Sequence, residues 1–366
     1  MQQKRIIPFK VSGMDSLGQG VSKETNKITF IPKTLPGDEG TAEINSEKKG
    51  VAFAKAKTFS THSDLRIEPD CPHFEICPSC HYQHTSYENE LKFKKQNLER
   101  LFYKIPHPEI KVIGAVRRFE YRNRIQLHFD TKKKLLGMLD IGAGTIAPIP
   151  QCIIGLAPLQ KEILRLYENQ NWIKEVPSGV DVGHVEIYMV NDEIRVTWNR
   201  PYAEGGFTQV FQEMNEVLKV ELNRWNDSKS PSDLLDLFAG NGNLTSHLNY
   251  SKRLCVDIYD KSPGNDFLSQ HLYADEALSR VKKAVNSQGL KDFKLILDPP
   301  RSGMKDLKGW LDQFKPQNVA YVSCDPHTLA RDVAALTDYT IESLLLLDFF
   351  PSTFHFETLI FLERKH

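Results

Sequence analysis

Over the first sixty residues, apolar positions come in short β-like runs punctuated by Gly and Pro. Lys27-Ile28-Thr29-Phe30-Ile31 and Val51-Ala52-Phe53-Ala54 flank Leu35-Pro36-Gly37-Asp38, with Gly18-Gln19-Gly20 ahead of them. This pattern predicts a small antiparallel barrel. From Ser86 the period lengthens: Leu91, Leu98, Leu101 and Phe102 follow Glu88 and Glu90 at spacings that predict a capped amphipathic helix. Alternation returns at Ile125, Leu127 and Phe129. It recurs between His184 and Trp198, where Asn191-Asp192 predicts a hairpin turn, with a helix near Leu159 to Leu166 between the two stretches. From about Val210 the order becomes helix and strand in turn, with strands at Leu234 to Phe238, Arg253 to Asp257, Leu295 to Leu297, Val319 to Ser323 and Ile341 to Leu347. Such an order predicts an α/β fold with a doubly wound parallel sheet.

Composition adds little to this until charge is placed along the chain. With 366 residues, 40% apolar and 26% charged, the chain is an ordinary globular mixture of two or three domains. It has no apolar stretch of membrane-spanning length, and Met1-Gln2-Gln3-Lys4-Arg5 leads into no apolar run, so a cytoplasmic protein that does not enter a membrane is expected. The 47 basic and 47 acidic side chains cancel, yet residues 1 to 134 carry +8 and the remainder −8. Residues 91 to 134 alone hold thirteen bases against four acids. Lys92, Lys94, Lys95, Arg117, Arg118, Arg122, Arg124 and Lys132 to Lys134 alternate there with Phe93, Phe119, Tyr121 and Phe129, a mixture that suits phosphates and stacked bases. The plainer reading is a solvated helix face followed by a lysine-rich turn.

Four stretches carry chemistry. Asp236-Leu237-Phe238-Ala239-Gly240-Asn241-Gly242-Asn243 follows an apolar strand and is expected to precede a helix. Its glycines allow a sharp turn that brings backbone amides to a ligand at the strand's carboxyl end. Asp257 ends the next strand, where an acid accepts from ribose hydroxyls. The lack of Gly-x-Gly-x-x-Gly and of a phosphate-binding Gly-Lys-Ser/Thr favours S-adenosylmethionine over a nucleotide. Asp298-Pro299-Pro300-Arg301 holds an acid and a guanidinium at the sheet rim on rigid prolines, in place of the aromatic that ends the similar motif of amino-group methylases. Tyr321-Val322-Ser323-Cys324-Asp325-Pro326 sets a thiol at a strand end beside a helix start, a setting that favours a thiolate nucleophile. Cys255, inside its strand, reads as a buried small residue. In Phe354-His355-Phe356-Glu357-Thr358, one acid in an apolar run predicts a carboxyl with a raised pKa acting as general base, with His355 as a rival. The remaining cysteines, Cys71, Cys77, Cys80 and Cys152, suit a four-thiolate metal centre. Zinc and iron-sulfur both accept such a set, and the uneven spacing leans toward iron-sulfur.

Together the runs Asp236 to Asn243, Asp298 to Arg301, Ser323 to Pro326 and His355 to Glu357 resemble the RNA uracil-5-methyltransferases over essentially the whole chain, most of all the ribosomal RNA branch. The resemblance implies a Rossmann-like catalytic domain, Cys324 as nucleophile and Glu357 as general base. It implies S-adenosylmethionine contacts at Gln209, within Phe207-Thr208-Gln209-Val210, and at Phe238, Asp257 and Asp298. It also implies a 4Fe-4S cluster on Cys71, Cys77, Cys80 and Cys152, and a TRAM-type barrel, an OB-like RNA-binding module. The expected domains are residues 1–60 (barrel), 61–205 (central, mostly β, with the cluster loop) and 206–366 (catalytic). A monomer acting on 23S ribosomal RNA is expected; the alternatives are the T-loop uridine of tRNA, or an RNA-binding protein without activity. The chain departs from the family pattern at Ala239, where many relatives have cysteine, and at Pro78-Ser79, where many have two glycines. The segment after Asp257 is also short, which puts the adenine side of the pocket in question.

Overall fold

The computed structural model describes residues 5–201, 209–230, 233–258 and 266–365. By its contacts the chain divides into two units: residues 1–94, 116–212 and 350–354 form one, and residues 95–115, 213–349 and 355–366 the other.

The first unit begins with a closed five-stranded barrel, in the order Ile6–Met14, Gln19–Ser22, Ile28–Pro32, Val51–Thr61, Glu39–Lys48, with the last strand pairing back on the first. Alternation along Ile6–Met14 sends Ile7, Phe9 and Val11 inward, where Ile31, Ala42 and Ala54 meet them. Gly20 is required in this wall, since a Cβ there would lie 2.1 Å from the Thr34 hydroxyl. Asp38 ties the barrel to the chain leaving it: its carboxylate accepts from the Leu35 and Ser63 amides and pairs with Arg66.

After the cysteine loop comes a five-stranded antiparallel sheet, ordered Glu193–Trp198, Val182–Val190, Arg124–Asp130, Leu135–Asp140, Thr145–Pro148. The expected hairpin is present, with Asn191 and Asp192 both at positive φ (49° and 64°) as a two-residue turn requires. The expected helix is Ala157–Tyr167, and it buries Leu159, Ile163 and Leu166.

Part of the basic stretch turns inward. Lys94 and Glu90 are fully buried and paired at 2.8 Å, Arg118 reaches the other Glu90 oxygen at 3.1 Å, and Arg124 pairs with buried Glu186 at 2.8 Å. These bases serve the fold of this unit. The exposed triplet Lys132 to Lys134 sits on the turn after Arg124–Asp130.

The second unit is built on an eight-stranded sheet, ordered Phe267–Ser269, Arg253–Asp257, Leu234–Leu237, Lys294–Leu297, Asn318–Ser323, Glu357–Arg364, Tyr339–Leu347, Lys111–Ile113. All neighbours run parallel except around Glu357–Arg364, which is antiparallel to both strands beside it. This is the expected α/β architecture, with one strand reversed. The helices Ala277–Gln288, Leu307–Phe314 and Pro326–Ala334 bury Val281, Val285, Leu307, Trp310, Leu311, Leu329 and Val333 in the sheet's large core. The strands Leu234–Leu237, Lys294–Leu297 and Asn318–Ser323 are buried at every position, as a sheet covered on both faces demands.

One expected helix is absent. Residues 239–248 form successive hydrogen-bonded turns, from Gly242 N to Ala239 O and on to Leu248 N to Thr245 O. Gly240-Asn241-Gly242-Asn243 is a run of poor helix formers, and Phe238, Gly240 and Gly242 all adopt positive φ.

Candidate active site

In a parallel sheet, ligands meet the carboxyl ends of the strands, and the second unit gathers its polar residues there. Asp236 lies one residue before the end of Leu234–Leu237 and is 1% exposed; the Thr245 hydroxyl donates to it at 2.5 Å. Asp257 ends Arg253–Asp257, and its carboxylate accepts from the Gly240 amide at 2.9 Å, so the two expected cofactor loops are tied together. Phe238, held at φ 61°, turns its ring toward Tyr273 (centroids 5.6 Å apart). Asp298 follows Lys294–Leu297, and its amide donates to Leu237 O.

The reversed strand explains how Glu357 comes to this rim. An antiparallel strand starts where its parallel neighbours end, so its first residue, Glu357, lies at the carboxyl ends of Asn318–Ser323 and Tyr339–Leu347. Ser323 pairs with Thr358 and Leu347 with Glu357; one step beyond Ser323, Cys324 comes alongside Glu357. The helix Pro326–Ala334 begins immediately after, its first amides taken up by the Asp325 carboxylate at 2.9 Å (His327) and 3.2 Å (Thr328).

Electrostatics link these groups. Burial pushes Glu357 well above the usual carboxylate range; Asp298 adds repulsion and Arg301 opposes it. Asp298 is pushed up to about 7 by burial, with Asp236 adding to the rise. Asp236 is also pushed up to about 7 by burial, against the Thr245 hydrogen bond and Arg253. The Cys324 thiol is pushed up to about 12 by burial, then by Glu357 and Asp298, with Arg301 pulling the other way. This differs from the expected thiolate-favouring helix start. Asp325 already satisfies the helix amides, and the nearby acids outweigh Arg301.

His355 precedes the strand and shares an alternation with Glu357, while Phe356 between them enters the core. Gln209 belongs to the first unit, where its backbone carbonyl accepts from the Asn123 side chain at 3.0 Å; Phe207 and Thr208 lie outside the described residues. Asp257 and the edge strand Phe267–Ser269 are joined by a short connection, of which residues 259–265 also lie outside the described residues.

The four remaining cysteines converge within the first unit. Cys71, Cys77, Cys80 and Cys152 line one cavity of about 190 Å³, together with Gln83 and Arg122. Burial raises the Cys80 thiol, and Cys77, Cys152 and Cys71 add to the rise. Cys152 is pushed up to about 11, by burial first and then by Cys77, with Arg122 opposing. Among the described residues, no three His, Cys, Asp or Glu side chains are already drawn together as a metal site.

Sequence reasoning missed the residues that brace the rim. Asp332, Arg331, Tyr321 and Tyr273 grip the turn after Arg301. The one available signal was Asp332, an acid on the helix face that otherwise buries Leu329, Ala330 and Val333.

Comparison with known proteins agrees with this geometry. The family model described as tRNA (Uracil-5-)-methyltransferase matches residues 265–365, the stretch that holds Asp298, Arg301, Cys324 and Glu357. The 23S rRNA (uracil(1939)-C(5))-methyltransferase RlmD of Shewanella woodyi is 27% identical, over 98% of this chain and 96% of the relative. The protein of the same name from Vibrio parahaemolyticus is 28% identical, over 97% and 95%. Among solved structures, the Pyrococcus abyssi tRNA (uracil-54, C5)-methyltransferase in complex with S-adenosyl-L-homocysteine shares the fold with a TM-score of 0.69. It has 19% identity and covers 97% of this chain and 99% of that one. With relatives matched over nearly their whole length, a family model over the catalytic strands, and thiol and carboxyl brought to one sheet rim, the chain is similar throughout to the RNA uracil-5-methyltransferases.

Proposed function

We propose that this protein transfers a methyl group from S-adenosylmethionine to carbon 5 of a uridine in 23S ribosomal RNA. The observation that carries the reading is the meeting of Cys324 and Glu357 at the rim where Asp298 and Asp257 end their strands. A rim of mutually repelling acids fits a cationic sulfonium, and Phe238, Asp257, Asp298 and Gln209 are its proposed contacts. When bound, S-adenosylmethionine supplies an electrophilic methyl group. Its positive charge would offset the repulsion from Glu357 and Asp298 that adds to burial in holding Cys324 protonated.

Cys324 then adds to carbon 6 of the uracil, and carbon 5 takes the methyl group as S-adenosylhomocysteine leaves. Arg301 stabilises the negative charge that develops on the ring. Glu357 removes the carbon 5 proton, and the electron pair left behind expels the Cys324 sulfur. Burial raises the Glu357 pKa, which makes its carboxylate a stronger base for that proton transfer. The uridine must first leave its stack, at a cost of a few kcal/mol, roughly. Binding of the RNA is assigned to the barrel (1–60) and the central region (61–205), and chemistry to residues 206–366, in a monomeric protein.

Cys71, Cys77, Cys80 and Cys152 would hold a 4Fe-4S cluster. Four thiols on one cavity are a donor set of the right kind and number, and the cluster's contribution there is to cross-link the loop to the central sheet. Protein purified without oxygen should be brown with about four irons per chain, and Cys80→Ser should be colourless. Colourless wild-type protein containing zinc would replace the cluster with a zinc site.

Incubation with tritiated-methyl S-adenosylmethionine and total RNA from a strain lacking the gene tests the main reading. Label is expected in one uridine of 23S RNA. Label in the T-loop of tRNA would instead support the reading favoured by the likeness to the archaeal tRNA enzyme, and no label in any RNA would leave a binding protein. Cys324→Ala should abolish transfer, whereas Glu357→Gln should accumulate a covalent RNA adduct that survives denaturation. A fully active Cys324→Ala protein would remove the nucleophile from the mechanism.

A further inference from the structure

The turn after Asp298-Pro299-Pro300-Arg301 is held by one buried acid from another motif. Asp332, 5% exposed on the helix that starts behind Cys324, accepts from the Met304 amide at 2.7 Å and the Tyr321 hydroxyl at 2.8 Å on one oxygen. Its other oxygen accepts two bonds from Arg331, at 2.8 and 2.6 Å. Arg331 also donates to the Ser302 carbonyl at 2.8 Å, and the Tyr273 hydroxyl donates to the Gly303 carbonyl at 2.8 Å. The fit is tight: Gly303 stands at φ 69°, and a Cβ there would lie 2.4 Å from the Asp332 carboxylate. Of the three residues after Arg301, Ser302 and Met304 are thus tied to the helix that begins two residues past Cys324, and Gly303 to Tyr273.

We propose that Asp332, clamped by Arg331, is a positioning residue that fixes the Arg301 guanidinium beside Cys324 and Glu357. The latch touches none of the reacting atoms. It acts by joining the loop that carries the cation to the element that carries the thiol, so the two keep one spacing as RNA and cofactor come and go. A flexible arginine on an unanchored turn would lose that spacing. The inference rests on the proposed role of Cys324.

The test is the rate at which iodoacetamide alkylates Cys324 at a fixed, mildly alkaline pH, read by peptide mass mapping. Alkylation follows the thiolate fraction, so displacement of Arg301 should slow it. Asp332→Asn should slow it at least about threefold, equivalent to half a pKa unit, and Arg301→Gln by a similar factor. The double variant should be no slower than Arg301→Gln alone. In methyl transfer, kcat should fall while KM for S-adenosylmethionine holds. Loss of packing alone would open the site and leave alkylation unchanged or faster; that outcome, or full additivity with Arg301→Gln, overturns the proposal. Should Asp332→Asn fail to fold, Arg331→Gln, on an exposed side chain, removes the clamp on Ser302; it should slow alkylation in the same direction, and an unaltered rate overturns the proposal. Failure of the underlying reading looks different: Cys324→Ala would methylate RNA normally, whatever the alkylation rates.

Discussion

At the scale of single residues, the rim of the catalytic sheet keeps acids in a state that water would not allow. Asp236 is pushed up to about 7 in the folded protein, from 3.8 in an exposed setting. Between those values the folded chain holds a proton that the unfolded chain has released. Stability therefore falls as pH rises through this window and levels off above about 7. Asp236→Asn removes the titration and keeps a group able to bond Thr245. In urea melts it should match the wild type near pH 4 and exceed it by on the order of 1–3 kcal/mol at pH 8. Equal destabilisation at both pH values would mean that Asp236 is ionised in the fold. Residues of this kind were legible one by one: an acid at a strand end, a thiol at a strand end, an acid in an apolar run. Their combined field was not, because the rise of Cys324 to about 12 comes from burial and then from Glu357 and Asp298, 33 and 26 positions away in sequence.

At the scale of elements, periodicity placed the five strands it named in the catalytic sheet to within a residue or two, since burial on both faces leaves a clear apolar run, but it passed over short or half-exposed strands such as Glu39–Lys48, Lys111–Ile113 and Leu135–Asp140. Two features of the catalytic sheet were also misread. The turns after Phe238 read as a helix because a strand and a glycine loop usually lead into one. The direction of Glu357–Arg364 could not be read at all, since residues on a reversed strand alternate as they do on a forward one. Elements also borrow from one another. The helix Gln212–Ser228 has no basic residue in its last turn. Lys294, 1% exposed on the neighbouring strand, donates to the Asn226 and Lys229 carbonyls at 2.8 and 3.0 Å instead. Lys294→Met keeps the stem but leaves the Lys229 carbonyl without its lysine donor and the Asn226 carbonyl with the Lys229 amide alone, so the stability read from urea melts should fall by about 1–3 kcal/mol with an unchanged slope. A loss of only a few tenths would show that the carbonyls are satisfied by water.

At the scale of the whole molecule, zero net charge conceals a basic front, but the structure reduces what that front can offer to RNA. Lys94, Arg118 and Arg124 are taken up by Glu90 and Glu186 inside the first unit, so they release no counterions on binding. Lys132 and Lys133 form pairs with Asp181 and Asp130 at exposed sites, which are worth little and exchange readily for phosphate. With Lys134 they form a turn suited to the RNA backbone. Replacing all three with Gln should lower the slope of log affinity against log salt by about 2, at about 0.7 per phosphate contact. An unchanged slope would take this turn out of the binding surface.

The interleaving of the two units follows from no periodicity, since it lies in which distant segments pair. The short strand Lys111–Ile113 pairs with Tyr339–Leu347, more than two hundred residues further along, and residues 350–354 return to the first unit before Glu357 opens the last strand of the second. Within that return, the Ser352 amide donates to Glu90 at 2.7 Å, and the Ser352 carbonyl accepts from the amides of His81 and Tyr82. During synthesis, neither unit can finish until nearly all of the chain has left the ribosome, and Glu90 waits without its backbone partner for some 260 residues. Such late closure favours slow assembly and makes a chain stopped short of residue 350 a poor folder of either half. Neither half can therefore be cut out as one continuous stretch of gene.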